Sequence, residues 1–263
     1  MKVYFFAFLL FIGSACNAQK WFAEVMAGAA SYNGDLTQKE VSIKRIYPSA
    51  SFNLKYNTGD FLNFRLGLSY AKLGASDHNN PDSGLQSRNL SFKTNIIELN
   101  FCTELNVLDP ETYYAYPYIF AGVGVFHFNP YTNDNDGNKT FLQPLGTEGQ
   151  GMVGKRKKYS LYQACFPVGA GGKLNLNHDM EIGFEFGYRI LVTDYLDDVS
   201  KTYVNLKGLQ EANGNKAVEL SYRKKSRFIE EGEKRGNSAR RDNFWFAGIK
   251  LAIQIAGPRK DRD

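Results

Sequence analysis

The sequence predicts an all-β protein, an eight-stranded antiparallel up-and-down transmembrane β-barrel with short periplasmic turns and long extracellular loops. Three observations carry that expectation. Apolar and polar residues alternate in eight separate runs, and a period of two marks a strand with two unlike faces. Each run covers about 10 to 14 residues, whereas soluble strands cluster near 5 to 6 and a tilted strand crossing a bilayer needs about 9 to 11. The links between runs are alternately short and long, as expected when turns lie on the periplasmic side and loops outside. An even number of strands lets the sheet close, so that no unpaired edge is left in lipid.

Taken in order, residues 1–18 read as a signal peptide. Met1 and Lys2 precede the apolar run VYFFAFLLFI and the small, polar exit GSACNAQ, the layout of an export signal. The apolar part is well short of the roughly 20 residues of a spanning helix. Cleavage after Ala18 would make Gln19 the first mature residue. Lipoprotein processing at Cys16 is the rival reading, and Gly13 stands where that reaction wants a bulky aliphatic residue.

Residues 19–256 form the expected outer-membrane barrel, with runs at about 20–30, 46–56, 61–72, 92–105, 116–128, 161–174, 180–191 and 243–255, and residues 257–263 form a charged tail. In FLNFRLGLSY, residues 61–70, Leu62, Phe64, Leu66, Leu68 and Tyr70 oppose Asn63, Arg65, Gly67 and Ser69. In MEIGFEFGYRI, residues 180–190, the apolar set opposes Glu181, Gly183, Glu185, Gly187 and Arg189. In a membrane barrel the polar parity points inward. It carries Glu24, Lys55, Arg65, Glu98, Glu104, Glu181, Glu185, Arg189 and Lys250. Eight strands enclose just enough room for side chains, so charges of both signs are expected to pair in a plug. A soluble lipocalin-like barrel would reverse the faces. Strand length and loop alternation favour the membrane.

Once Cys16 leaves with the signal, Cys102 and Cys165 remain. Strand direction places the first near the periplasmic end and the second near the mouth, too far apart for a disulfide. Two free thiols are expected.

The octapeptide TDYLDDVS, residues 193–200, puts Asp194, Asp197 and Asp198 at the outer mouth, opening the longest loop. Hard cations favour clustered carboxylates, but a calcium loop needs alternate acidic positions and a turn glycine. The expected role is hydrogen bonding where strand becomes loop, with no metal site and no cofactor. His127, near the top of the fifth run, is the histidine best placed to meet Asp194 as an acid/base pair. It has no serine-centred nucleophile beside it, so no catalytic residues are assigned. GQGMVGKR, residues 149–156, matches a phosphate-loop spacing only until Arg156 replaces the required Ser or Thr. The long loops carry basic runs, including KRKK at 155–158 and the residues Arg223, Lys224, Lys225, Arg227, Arg240 and Arg241. The net charge is only +5, with acidic EEGE at 230–233, which argues against nucleic acid as a partner. Outer-membrane lipid is the expected neighbour.

The segments SYNGDL (31–36), RLGLSYAKL (65–73), RNLSFKTNIIEL (88–99), PYIFAGVGVFHFNP (117–130), LQPLGTEGQG (142–151) and TDYLDDVS (193–200) together resemble the PorG-type outer-membrane proteins of the Bacteroidetes type IX secretion system. The resemblance covers most of the mature chain. Its loop motifs are specific, at Leu142, Gln143, Pro144, Leu145, Gly146, Thr147, Glu148 and Gly149, and at Thr193, Asp194, Tyr195, Leu196, Asp197 and Asp198. It implies a barrel associated with a periplasmic ring of PorK- and PorN-type proteins, serving export of cargo that includes gliding adhesins and proteases. It implies no catalytic residues. The chain departs from the usual barrel pattern by running past Ile255 as AGPRKDRD, and its last loop is elaborated. Topology points to the periplasmic turns, with Asp60, Asp109, Glu111 and Asp179, as the ring contact. A surface receptor or adhesin barrel, and a rim hydrolase acting on lipid or peptide, are the alternatives.

Overall fold

The computed structural model describes residues 19–37, 45–59, 61–223 and 230–258. Residues 1–18 of the signal reading, Asp60, the basic residues Lys224, Lys225 and Arg227, and residues 259–263 of the tail lie outside the described residues. The barrel strands are β1 (Lys20–Asn33), β2 (Tyr47–Asn57), β3 (Leu62–Ser76), β4 (Ser91–Asn106), β5 (Ala115–His127), β8 (Tyr162–Asn177), β9 (Met180–Leu191) and β10 (Asn243–Ala256). Between β5 and β8, the short strands β6 (Tyr131–Asn133) and β7 (Lys139–Phe141) form a hairpin above the rim. Helices α1 (Ser83–Arg88), α2 (Leu206–Asn213) and α3 (Asn215–Ser221) all belong to the mouth loops.

Each barrel strand pairs antiparallel with its chain neighbours, and β1 pairs with β10, so the sheet closes. The eight predicted runs are the eight barrel strands. β1 continues to Asn33 and β3 to Ser76, beyond the predicted ends, because loop residues prolong the ladder above the bilayer belt. Among the described residues, three ladders are irregular: β1–β10 skips Ile255 and β8–β9 skips Leu176, both near the turn end, and the third gap lies in mid-barrel. The β5–β8 ladder skips Gly122 and Val123 opposite Phe166 and Pro167, where proline has no N–H to offer. The β2–β3 turn is set by Asn57, whose side chain accepts from the Gly59 amide at 2.7 Å. Gly59 has φ +95°, a conformation that a side chain would disfavour. His178 and Asp179 alone join β8 to β9.

The faces are those of a barrel built for lipid. Every barrel strand puts large apolar side chains outside: Val25, Phe52, Leu66, Leu99, Val123, Phe166, Phe184 and Ile249 are each between 45% and 63% exposed. An apolar belt around the whole circumference far exceeds what a water-soluble monomer leaves bare. Inside, the lumen has two layers. Its lower part is polar. Its upper part is apolar, with Leu73, Phe92, Ile96, Phe126, Phe244 and Phe246 meeting Leu196, Val199 and Leu220 from the loops above.

Cys102 and Cys165 are free and buried, but their expected separation is corrected by the register. Cys102 lies opposite Gly122 and Cys165 opposite Gly124, so both face the lumen across the same stretch of β5. They lie at similar depth on strands that are not neighbours. A barrel staggers its strands, so a residue late on one strand and a residue early on another can share a level. The intervening strand, and not opposite ends of the barrel, keeps the thiols apart.

Candidate functional site

The lower lumen is filled by charge. Glu24, Lys55, Arg65, Glu98, Glu104, Glu181, Glu185, Arg189 and Lys250 are all at most 7% exposed. The Arg65 guanidinium grips Glu185 through two contacts, at 2.5 and 3.1 Å, and reaches Glu104 at 3.5 Å. Lys55 bridges Glu181 at 2.6 Å and Glu24 at 3.3 Å. Lys250 lies within 3.1 to 3.7 Å of Glu185, Glu24 and Glu104, and Arg189 pairs with Glu98 at 3.4 Å. The Tyr118 hydroxyl donates to Glu185 at 2.8 Å.

Sequence parity missed one member, Lys173 of β8, which is 2% exposed and bonded to Glu104. With it, five carboxylates face five cations and the plug is neutral. Lys173 follows Gly169, Ala170, Gly171 and Gly172, where no apolar alternation marks a face. The ammonium groups of Lys173 and Lys250 also lie 4.3 and 4.6 Å from the Tyr118 ring centroid, and the Arg65 guanidinium lies 4.7 Å from that of Phe120. These contacts add attraction that a desolvated cation can use.

At the mouth, the two loop motifs interlock. Leu142 is buried in the upper apolar layer. Gln143, Pro144 and Leu145 make a 3₁₀ turn, and Gln143 donates to the Tyr159 carbonyl at 3.0 Å. Gly146 turns the chain at φ +57°, where a Cβ would lie 2.1 Å from the Gln150 carbonyl oxygen. Gly149 turns it again at φ +79° under Val204. Between them, the Thr147 hydroxyl donates to Asp198 at 2.5 Å. The fully buried Glu148 accepts from the backbone N–H groups of Ser200 and Lys201 at 2.9 and 3.0 Å. Arg235, 2% exposed, meets Glu148 at 3.2 Å and donates to the Asp198 carbonyl at 2.6 Å. Arg156 reaches over Glu148 and Thr202.

Each residue of the octapeptide now has a place. The Thr193 hydroxyl accepts from the Tyr195 amide at 3.1 Å, and the Tyr195 ring stacks on Tyr159 at 4.8 Å. Leu196 enters the apolar layer while its amide donates to Asp242 at 2.9 Å. Asp197 accepts from Tyr32 at 2.6 Å and from the Val199 amide at 2.9 Å. Asp198 turns the chain at φ +65° and accepts from Tyr159 at 2.7 Å. Burial raises the carboxyl pKa values: Asp194, half-buried and facing Asp35 and Glu148, is pushed up to about 7. Asp198 is pushed up to about 6 by burial against the opposing pull of Arg235. Among the described residues, no group of three or more His, Cys, Asp or Glu is arranged to hold a metal ion. Asp197 and Asp198 bind amides and hydroxyls, whereas the Asp194 carboxyl oxygens are buried without a hydrogen-bond partner among the described residues.

His127 does not join them. It has the outward parity of Val123 and Val125, and its ring packs 4.8 Å from Tyr162 on the outer wall. At the periplasmic end, Asp109 caps its own turn, accepting from the Glu111 amide at 2.9 Å and the Thr112 hydroxyl at 2.7 Å. Glu111 pairs with Lys20 at 3.5 Å, and Asp179 sits in the hairpin turn with its amide on Asn177. A cavity of about 420 Å³ opens there, lined by Asn57, Glu111, Tyr113, Tyr114, His178 and Glu181 among others.

A family model described as "Domain of unknown function (DUF6089)" matches residues 1–219. No curated protein matches the chain. Among solved structures, the outer membrane protein OprG from Pseudomonas aeruginosa is 8% identical over 92% of this chain and 99% of its own, with a TM-score of 0.46. Neisserial surface protein A is 8% identical over 89% and 97%, with a TM-score of 0.45. Ail of Yersinia pestis, solved with a heparin analogue, is 9% identical over 89% and 99%, with a TM-score of 0.41.

Proposed function

The chain belongs to the DUF6089 family, and we propose that it is a non-enzymatic component of a type IX protein secretion apparatus, exported to the outer membrane and held there by its barrel. The observation that carries this reading is the closure of the lumen by a neutral ion network below and an interlocked cap above. A barrel so filled offers no route for cargo, and the mouth carboxyls of Glu148, Asp197 and Asp198 are committed to backbone and hydroxyl partners. Its work is then to present surfaces. The periplasmic turns face the compartment in which a ring of PorK- and PorN-type proteins would meet it, and the resemblance of its loop motifs to PorG-type proteins points to that partner.

Mild cross-linking of a tagged copy in native outer membranes tests the reading. Recovery of the ring proteins is expected, and reversing the charges of Asp109, Glu111 and Asp179 together is expected to reduce it at least several-fold without altering heat-modifiable folding. Recovery of the barrel alone, from membranes where the ring survives the procedure, would return the function to a surface receptor or adhesin.

A further inference from the structure

The mouth cap contains one hydrogen-bonded chain that cannot be completed without an extra proton. Asp197 and Asp242 are 1% and 0% exposed, and the Tyr32 hydroxyl oxygen lies 2.6 Å from Asp197 Oδ2 and 2.9 Å from Asp242 Oδ1. The other oxygen of each carboxyl is already occupied, Asp197 Oδ1 by the Val199 amide and Asp242 Oδ2 by the Leu196 amide. A hydroxyl has one hydrogen and can donate to only one carboxylate. The second short contact is a hydrogen bond only if that carboxyl is protonated and donates to the tyrosine oxygen. With both carboxyls ionised, one contact would become a repulsion between buried oxygens.

Among the described residues, no cation forms an ion pair with either carboxyl. Asp35 faces both carboxyls from the β1–β2 loop, and Asp194 faces Asp242 from the loop after β9. Arg88, from the loop between β3 and β4, acts on Asp197 at longer range, but its guanidinium is gripped by Asp77 at 2.7 and 2.8 Å. Arg235, in the last loop, is committed to Glu148 and Asp198, and Tyr159, from the loop before β8, donates to Asp198. Asp197 and Asp242 both lie in loops above the rim, where burial first and neighbouring carboxylates second hold their pKa values well above the usual carboxylate range.

We propose that Asp197, Tyr32 and Asp242 form a proton-sharing latch: one shared proton fastens the 193–200 loop to the barrel rim, and loss of that proton as the pH rises releases it. The sign follows from linkage. The closed cap binds a proton that the open, hydrated loop would shed, so closure is favoured at low pH, weakens as pH rises from the ordinary carboxyl range towards the closed-state value, and is weakest above it. The loop carries Leu196 and Val199 into the upper apolar layer, so release would also uncover that layer to the outside.

The test is amide hydrogen exchange on the full chain folded in detergent micelles, with protection factors corrected for the intrinsic rate, from about pH 5 to about pH 9. The Leu196 and Val199 amides, which donate to the two carboxyls, are expected to lose protection by up to about tenfold per pH unit over the range in which the closed cap keeps the shared proton and the open loop sheds it, and to level off once the closed cap loses it too. Strand amides of Leu68 and Leu99 are expected to stay level. Asp242→Asn, whose amide cannot lose a proton in this range, is expected to flatten the loop response. Wild-type protection independent of pH, or an unchanged slope in Asp242→Asn, would overturn the latch. If that variant does not fold, Tyr32→Phe decides: it removes the shared hydroxyl, so the loop should be loose already at about pH 5, and full protection there would overturn the proposal equally.

Discussion

Glu104→Ala is expected to destabilise the barrel by about 3 to 5 kcal/mol, because it strips a carboxylate from a site where charges have no access to water. Glu104 is fully buried and serves Lys173, Arg65 and Lys250 at once. Its removal leaves Lys173, 2% exposed, with no other carboxylate within ion-pair distance among the described residues. Denaturant titration of the barrel in lipid vesicles, read by the heat-modifiable shift on gels, measures the effect. The double variant Glu104→Gln with Lys173→Met should recover a substantial part of the loss, since removing both members of a buried pair is far less costly than orphaning one. An unchanged midpoint in Glu104→Ala would mean that water or relaxation compensates the network, and the neutral plug would lose its role as a determinant of stability.

Glu148→Ala is expected to act just as strongly but only on the cap. It removes the acceptor of the Ser200 and Lys201 amides and the carboxylate that Arg235 and Arg156 share. Two unsatisfied amides and a buried guanidinium whose one remaining carboxylate among the described residues is Asp198, at 3.8 Å, should cost about 2 to 4 kcal/mol of local stability. The readout is protease cleavage within residues 193–242 in intact barrels, expected to accelerate by at least tenfold while the heat-modifiable shift stays. Glu148→Gln keeps the accepting oxygen for the amides and loses only the charge, so it should fall between. A cap equally resistant in all three proteins would show that the two motifs are not fastened through this residue.

The barrel was legible because lipid outside and a packed interior impose unlike faces, and period two records both. That record identifies Arg65 and Glu185 as lumen residues from opposite parts of the chain, although the bidentate contact between them depends on closure. It fails at Lys173, where small residues blur the faces, and for Cys102 and Cys165, whose relative depth depends on a stagger that only strand pairing fixes. The mouth was the least legible. Loops have no period, so Arg235, Asp242 and Tyr32 could not be grouped with the motif carboxyls from sequence. What the sequence did offer was the acidic run at 194–198, expected to hydrogen-bond where strand becomes loop, and the resemblance of both loop motifs to one family, without saying that one loop binds the other. Helices α2 and α3 lie in the same long link and pack Leu209 and Ala217 against Val204 over the cap.

These features describe a barrel whose interior is filled above the turn-end cavity, with a charge plug below, an aromatic layer above it and a fastened loop cap on top. The account therefore stands on the barrel being a scaffold and not a channel. Conductance of the purified full chain in a planar lipid bilayer tests that most directly. The account predicts no stepwise current from inserted, heat-modifiable barrels near neutral pH, because the paired plug blocks the lower lumen. Discrete conductance steps under those conditions would contradict it, because they would require a water-filled path through the ten charges packed in the lower lumen.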